Sequence, residues 1–130
     1  MNNKTIGFAI LVLLLIFTSC NKYVGDYNED FVGYWKSSIV TDNISGAQQQ
    51  SYMIIDGKKS EFGLTCNPSC GLSCDCVRLV NGRAIVNSSK TKLRIGYSRN
   101  SLTLTIDQEP IKDSNGDWTC KLNGTIFYKQ

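Results

Sequence analysis

In the second half of the chain, apolar and polar residues alternate in short runs separated by Gly, Asn, Asp and Ser. A period of two sends successive side chains to opposite faces of a strand, so the pattern predicts antiparallel β-structure with one apolar face. In KLRIGY, Leu93, Ile95 and Tyr97 fall inward, with Lys92 and Arg94 outward. In SLTLTI, Leu102, Leu104 and Ile106 fall opposite Thr103 and Thr105. FVGYWKSSIV, SYMIID and KSEFGLT read as earlier strands, and no segment beyond the first twenty residues has a helical period of useful length.

The Asn-Gly pairs at 81–82 and 123–124 predict tight hairpins, because a two-residue type I′ turn needs positive φ at both central positions. In CVRLVNGRAIVN, a turn at Asn81-Gly82 sets Leu79 opposite Ala84 and Val77 opposite Val86. Val77, Leu79, Ala84 and Val86 then share one face, with Arg78 and Arg83 on the other. In DWTCKLNGTIFYKQ, Trp118, Cys120 and Leu122 share a face before Asn123-Gly124. A strict two-residue turn adds Phe127 to that face; a bulge or a longer turn adds Ile126 and Tyr128 instead. About eight short strands of this kind predict an all-β, small up-and-down antiparallel barrel. Its expected interior is Trp35, Val77, Leu79, Ala84, Val86, Leu93, Ile95, Leu102, Leu104 and Trp118. A cavity and a filled core would use the same residues.

The opening MNNKTIGFAILVLLLIFTSC has a different character. Lys4 precedes an apolar run over residues 6–17, and small Thr18 and Ser19 lead into Cys20. The run is too short for a bilayer span of roughly 20 residues but suits a secretory signal. Ending in Thr-Ser-Cys, it resembles the signal peptide of bacterial lipoproteins, with Phe17 where Leu is usual. The resemblance implies cleavage before Cys20, acylation of Cys20 (palmitate) and firm membrane attachment by several acyl chains. Asn21 rather than Asp after the cysteine favours the outer membrane, with the domain periplasmic or surface-exposed. Asp26, Glu29 and Asp30 follow closely. The expected organisation is a signal peptide over 1–19, a lipidated polar tether over 20–30, and one β-barrel domain over 31–130.

Charge excludes some classes. The formal net charge of +3 falls by one with Lys4, and the basic residues are scattered, which argues against nucleic acid as a partner. Histidine is absent, which removes Ser-His-Asp and Cys-His catalysis, histidine-ligated zinc and imidazole switching. No phosphate-cradling glycine loop is present. Asp113, Asn115 and Asp117 in DSNGD alternate as in calcium loops, but the glycine is misplaced and no bidentate Glu follows, so a solvated turn is expected. The chain is expected to be non-enzymatic, without a cofactor and monomeric.

Five cysteines remain beside Cys20: Cys66, Cys70, Cys74, Cys76 and Cys120. In an exported domain they are disulfide candidates. One arrangement pairs Cys66 with Cys76 and Cys70 with Cys74, leaving Cys120 as a small buried core residue. A rival ties Cys120 to a loop cysteine. Alternatively Cys66, Cys70, Cys74 and Cys76 form an all-thiolate zinc or copper(I) site, although paired C-x2-C knuckles are lacking.

Gly33-Tyr34-Trp35 after Phe31-Val32, the hairpin order, and the Pro110 loop with GDW before the last two strands together resemble lipocalins and the lipocalin-like domains of bacterial lipoproteins. The similarity covers roughly residues 31–129. It implies that the glycine permits close bending, that Trp35 plugs one barrel end, and that the interior takes a small apolar ligand. Trp35, Leu79, Val86, Leu93, Ile95, Leu102, Leu104 and Trp118 would line it. The domain is shorter than a full lipocalin and lacks the family's last helix, which leaves little room for a wide cavity. The leading expectation is a lipid-anchored envelope protein that holds a small hydrophobic ligand or presents loops to a partner. The alternatives are a metal-binding lipoprotein using the cysteine cluster and an inhibitor or adhesin using the stapled loop.

Overall fold

A computed structural model describes residues 21–66 and 76–130. It contains β1 (Lys22–Tyr23), β2 (Gly33–Ser37), β3 (Val40–Thr41), β4 (Gln48–Ile55), β5 (Ser60–Cys66), β6 (Cys76–Val86), β7 (Lys92–Tyr97), β8 (Asn100–Lys112), β9 (Trp118–Leu122) and β10 (Thr125–Lys129). A one-turn helix α1 (Val24–Tyr27) and a 3-10 turn (Glu29–Phe31) lie between β1 and β2. Strands β2, β4, β5, β6, β7, β8, β9 and β10 pair antiparallel in chain order, and β10 returns to β2. The chain is therefore a closed, up-and-down, eight-stranded antiparallel barrel of lipocalin-like layout, as the period-two pattern predicts. Closure satisfies both edges of the sheet, which an open sheet of this size would leave free to pair with other chains. The two-residue strands β1 and β3 are additions on β6 and β4.

Two long strands serve both halves of the barrel. Residues 76–82 of β6 pair with β5, and residues 83–86 pair with β7. Likewise β8 pairs with β7 through residue 105 and with β9 from residue 106. Asn81-Gly82 is consequently not a hairpin turn; it lies inside β6, where the strand passes from one neighbour to the next. The turn signal is real chemistry used differently. Gly82 has φ +145°, and a Cβ there would lie 2.7 Å from the Tyr97 ring that covers it. Each arm of the expected hairpin finds a better partner than the other arm.

Losing that turn shifts the face assignment by one residue. In a continuous strand Val80, not Leu79, shares the inner face with Ala84 and Val86. Val80 is 8% exposed, while Leu79 is 46% and Val77 49% exposed. Phe62 pairs with Val80 and Gly63 with Arg78, so the irregularity leaves Leu79 unpaired and outside the core. Tyr97, also expected inward, is half exposed: it lies at the end of β7, stacked over Gly82, with its hydroxyl donating to the Lys58 carbonyl at 3.3 Å. Pro110 belongs to no loop. It is buried within β8 between Gln108 and Ile111, where the register with β9 shifts, and such an irregularity accommodates a residue that has no N–H for the ladder.

The Asn123-Gly124 pair behaves as expected. Asn123 and Gly124 have φ +48° and +76°, Thr125 pairs with Leu122, and Phe127 joins Cys120 on the inner face at 2% exposure. Ile126 and Tyr128 point outward, exposed. The core comprises Trp35, Met53, Ile55, Phe62, Val80, Ala84, Val86, Leu93, Ile95, Leu104, Cys120, Leu122 and Phe127, joined by Val24 and Phe31.

Of these last two, Val24 lies in the expected tether, as do the paired residues before it. Lys22 and Tyr23 pair with Val86 and Ile85, and Val24 and Phe31 are fully buried. The absence of apolar periodicity over residues 21–30 concealed this, because a single helical turn offers too few positions for a period to show. Replacing Val24→Ala should destabilise the barrel by roughly 1.5–3 kcal/mol, as for other large-to-small core changes, measured by urea denaturation. Wild-type stability in that variant would restore the tether reading.

Candidate functional site

Trp35 is the centre from which the site is built. Its ring is fully buried, and its indole N–H donates to the Phe31 carbonyl at 2.8 Å, so a buried polar group is satisfied by the 3-10 turn just before the strand. Barrel closure sets Lys129 of β10 opposite Trp35 of β2. The Lys129 ammonium lies 5.3 Å from the Trp35 ring and 5.5 Å from the Trp118 ring, and donates to the Asp30 carbonyl at 2.8 Å. Gly33 permits this passage, since a Cβ at its φ of +143° would lie 2.6 Å from the Lys129 side chain. Cation–π attraction and a charge-assisted hydrogen bond together hold the 3-10 turn over the end of the barrel. Nothing in the alternation pattern singled out Lys129; only the pairing of the first and last barrel strands brings it here.

Tyr27 of α1 fastens the same segment to β8. Its hydroxyl donates to the Glu109 carboxylate, and the Asn28 side-chain amide donates to the other Glu109 oxygen at 3.1 Å. The hydrogen bond to Glu109, then burial, then the adjacent negative charge raise the Tyr27 pKa to about 12.

Of the residues expected to line a cavity, Trp35, Val86, Leu93, Ile95 and Leu104 are buried in one cluster, and Leu102 and Trp118 are partly buried against it. Leu79 is excluded, for the reason of register given above. These side chains pack on one another and on Met53, Phe62 and Phe127; the Phe62 and Phe127 rings meet edge to face at 6.4 Å. The principal clefts among the described residues lie on the outer surface. One of about 340 Å³ is lined by Lys22, Asp26, Tyr27, Asn87 and Lys90, with Val86 at its floor. One of about 200 Å³ is lined by Asn21, Ile85, Asn87, Lys92, Arg94 and Thr103. Neither these nor the others are lined by Trp35, Leu93, Ile95 or Leu104.

The β3–β4 hairpin is the most exposed apolar feature and escaped the sequence pattern. Val40 is 66% and Ile44 98% exposed, with Ile39 beside them at 47%. The tip is nonetheless braced. The Asp42 carboxylate accepts from the Ile44 and Ser45 backbone N–H groups at 2.9 and 2.7 Å and from the Ser45 hydroxyl at 2.9 Å. These bonds, from Ser45 first, lower the Asp42 pKa. The spacing Asp-x-x-Ser was the available signal, since such residues organise turns.

Cys120 is a free thiol, fully buried in the core. Its burial agrees with the reading of Cys120 as a core residue, while Cys70 and Cys74 of the rival pairing lie outside the described residues. Burial raises its pKa to about 12, partly offset by the positive charge of Lys129. Cys66 and Cys76 sit at facing ends of adjacent strands, where the last register pair is Thr65 with Cys76. Cys20, Cys70 and Cys74 lie outside the described residues, so the metal alternative built on Cys66, Cys70, Cys74 and Cys76 is not placed. Among the described residues no group of three or more potential ligands gathers. In DSNGD the Asp113 carboxylate accepts from the backbone N–H groups of Asn115 and Asp117 at 2.8 and 2.9 Å, the arrangement of an exposed turn. No helix among the described residues is long and apolar enough to cross a membrane. No protein-family model, curated protein or solved structure matches the chain.

Because the Cys120 pKa is raised in the folded state, folding is favoured fully below the unfolded value near 9 and loses stability as pH rises toward about 12. Cys120→Ala should flatten the part of the pH–stability profile between those values, measured by chemical denaturation. An unchanged slope would show that the buried thiol does not titrate as described. Lys129→Met keeps the apolar stem but removes the bond to the Asp30 carbonyl, and should cost about 1–3 kcal/mol. Loss of Trp35 fluorescence protection from a neutral quencher would report the loosened cap.

Proposed function

We propose that the protein is a lipid-anchored, non-enzymatic lipoprotein of the cell envelope, attached through Cys20 and directed to the outer membrane. Its lipocalin-like barrel acts as a rigid scaffold that presents connecting loops to a partner. The observation that carries this reading is the interior: Trp35, Met53, Leu93 and Ile95 are fully buried against each other, and the principal clefts open elsewhere. A barrel of this size either fills with side chains or holds one small ligand, and the packing here favours the first. The braced Ile39, Val40 and Ile44 tip supplies a solvent-facing apolar contact of the kind that protein interfaces bury at their centre. The histidine-free composition supports a non-catalytic role.

Anchoring is tested by producing the full chain in a bacterial envelope with labelled palmitate. The wild type should incorporate label and partition with membranes, and Cys20→Ala should lose both. Unlabelled, freely soluble wild type would end the lipoprotein reading. The scaffold is tested separately by native mass spectrometry with elemental analysis of the purified protein. The mass of the polypeptide with its Cys20 acyl chains and nothing more is expected. A stoichiometric apolar molecule would return function to the interior residues, and stoichiometric zinc or copper would transfer it to the cysteine loop.

A further inference from the structure

We infer that the barrel rests directly on the bilayer through the surface around residues 21–22, where Lys22, Lys90, Lys92 and Arg94 meet anionic lipid headgroups. This rests on the acylation of Cys20 proposed above. An unstructured tether of ten residues would let the domain roam, with an r.m.s. reach of roughly 17 Å for a flexible chain. The folded N-terminal segment removes that freedom. Lys22 is already hydrogen-bonded into the sheet against Val86, so two Cα steps separate a lipidated Cys20 from the rigid body, a reach of at most about 7.6 Å. Whatever surface surrounds residues 21–22 must therefore lie at headgroup depth.

That surface has the charge a headgroup layer demands. The two clefts flanking residues 21–22 carry Lys22 and Lys90 on one side and Lys92 and Arg94 on the other, against one carboxylate, Asp26. Among the described residues the ion pair is Arg78 with Glu61, on another strand pair, and none of these four cations has an ion-pair partner there. Lys92 and Arg94 alternate outward with buried Leu93 and Ile95, which fixes their direction. Lys90 lies 5.1 Å from the Tyr27 ring. The loop that carries it is held by Asn87, whose side-chain oxygen accepts from the N–H groups of Thr91 and Lys92 at 2.9 and 2.8 Å. The cations are thus displayed by rigid backbone beside the anchor. Positive side chains within a Debye length of an anionic membrane are attracted to it, and screening by salt weakens them together.

The test uses the acylated protein purified from membranes and placed on phosphatidylcholine vesicles with or without phosphatidylglycerol. Mass spectrometry of the Cys20 peptide is read first. A water-soluble amine reagent then measures lysine accessibility, with Lys36, outward on β2 and three strands from β6, as the reference. On anionic vesicles Lys22, Lys90 and Lys92 should react at least tenfold more slowly than in detergent, while Lys36 is unaffected. Lys92→Glu with Arg94→Glu should restore Lys22 and Lys90 to near the detergent rate without loss of acylation. The milder pair Lys92→Gln and Arg94→Gln, with an unchanged melting temperature, guards against misfolding. Acylated protein whose lysines react alike on neutral and anionic vesicles overturns the inference and leaves the anchor standing. An unacylated Cys20 overturns both. Equal protection by inorganic phosphate without vesicles would assign the clefts to a free anion and overturn the lipid assignment.

Discussion

The pairing of β10 with β2 is the contact on which the rest of the structure depends. It turns a meander into a closed ring, and it does so between segments at opposite ends of the domain: the Lys129 ammonium reaches the carbonyl of Asp30, 99 residues away in sequence. Trp35 and Lys129 are direct register partners across that seam. One pairing therefore removes both sheet edges, seats a cation against the faces of Trp35 and Trp118, and ties the 3-10 turn over the barrel end. The last two are side-chain consequences of a backbone constraint, and without closure none of these partners would be near another.

The N-terminal segment converts that local cap into a statement about the whole molecule. Val24 and Phe31 are core residues, and Tyr27 reaches Glu109 on β8, so residues 22–31 belong to the barrel. If the chain is anchored at Cys20, the barrel is held close against its membrane, and the surface beside the anchor faces the headgroups. The β3–β4 hairpin, whose apolar tip is braced by Asp42, is left for another role. Interior packing, anchoring and an exposed contact then occupy different parts of one small domain. Under the proposed function the barrel would contribute rigidity and its periphery recognition.

Strand identity was legible in the chain wherever local chemistry and tertiary demand agreed. Leu93 and Ile95 alternate against Lys92 and Arg94, and their burial follows from that alone. The turn at Asn123-Gly124 formed because both arms, β9 and β10, are neighbours in the ring, and the choice it left open for Phe127 was settled by the strict two-residue geometry. At Asn81-Gly82 the same dipeptide has a different outcome. Residues 76–82 find β5 and residues 83–86 find β7, and the glycine serves as a bend under Tyr97. Turn chemistry states what a backbone can do at low cost, while the available partners decide what it does.

By itself, then, the sequence determined the all-β class, the alternation of most faces, the exclusion of histidine chemistry and the form of the first twenty residues, because each of these depends on neighbours in the chain or on composition. Tertiary structure alone decided that Val80 rather than Leu79 is buried, that Pro110 lies within a strand, that Lys129 covers Trp35, and that residues 22–30 are packed instead of free. The physical reason is common to all four. Each is set by a partner distant in sequence, and the burial or pairing that such a partner provides outweighs local preference by an amount the local sequence does not encode.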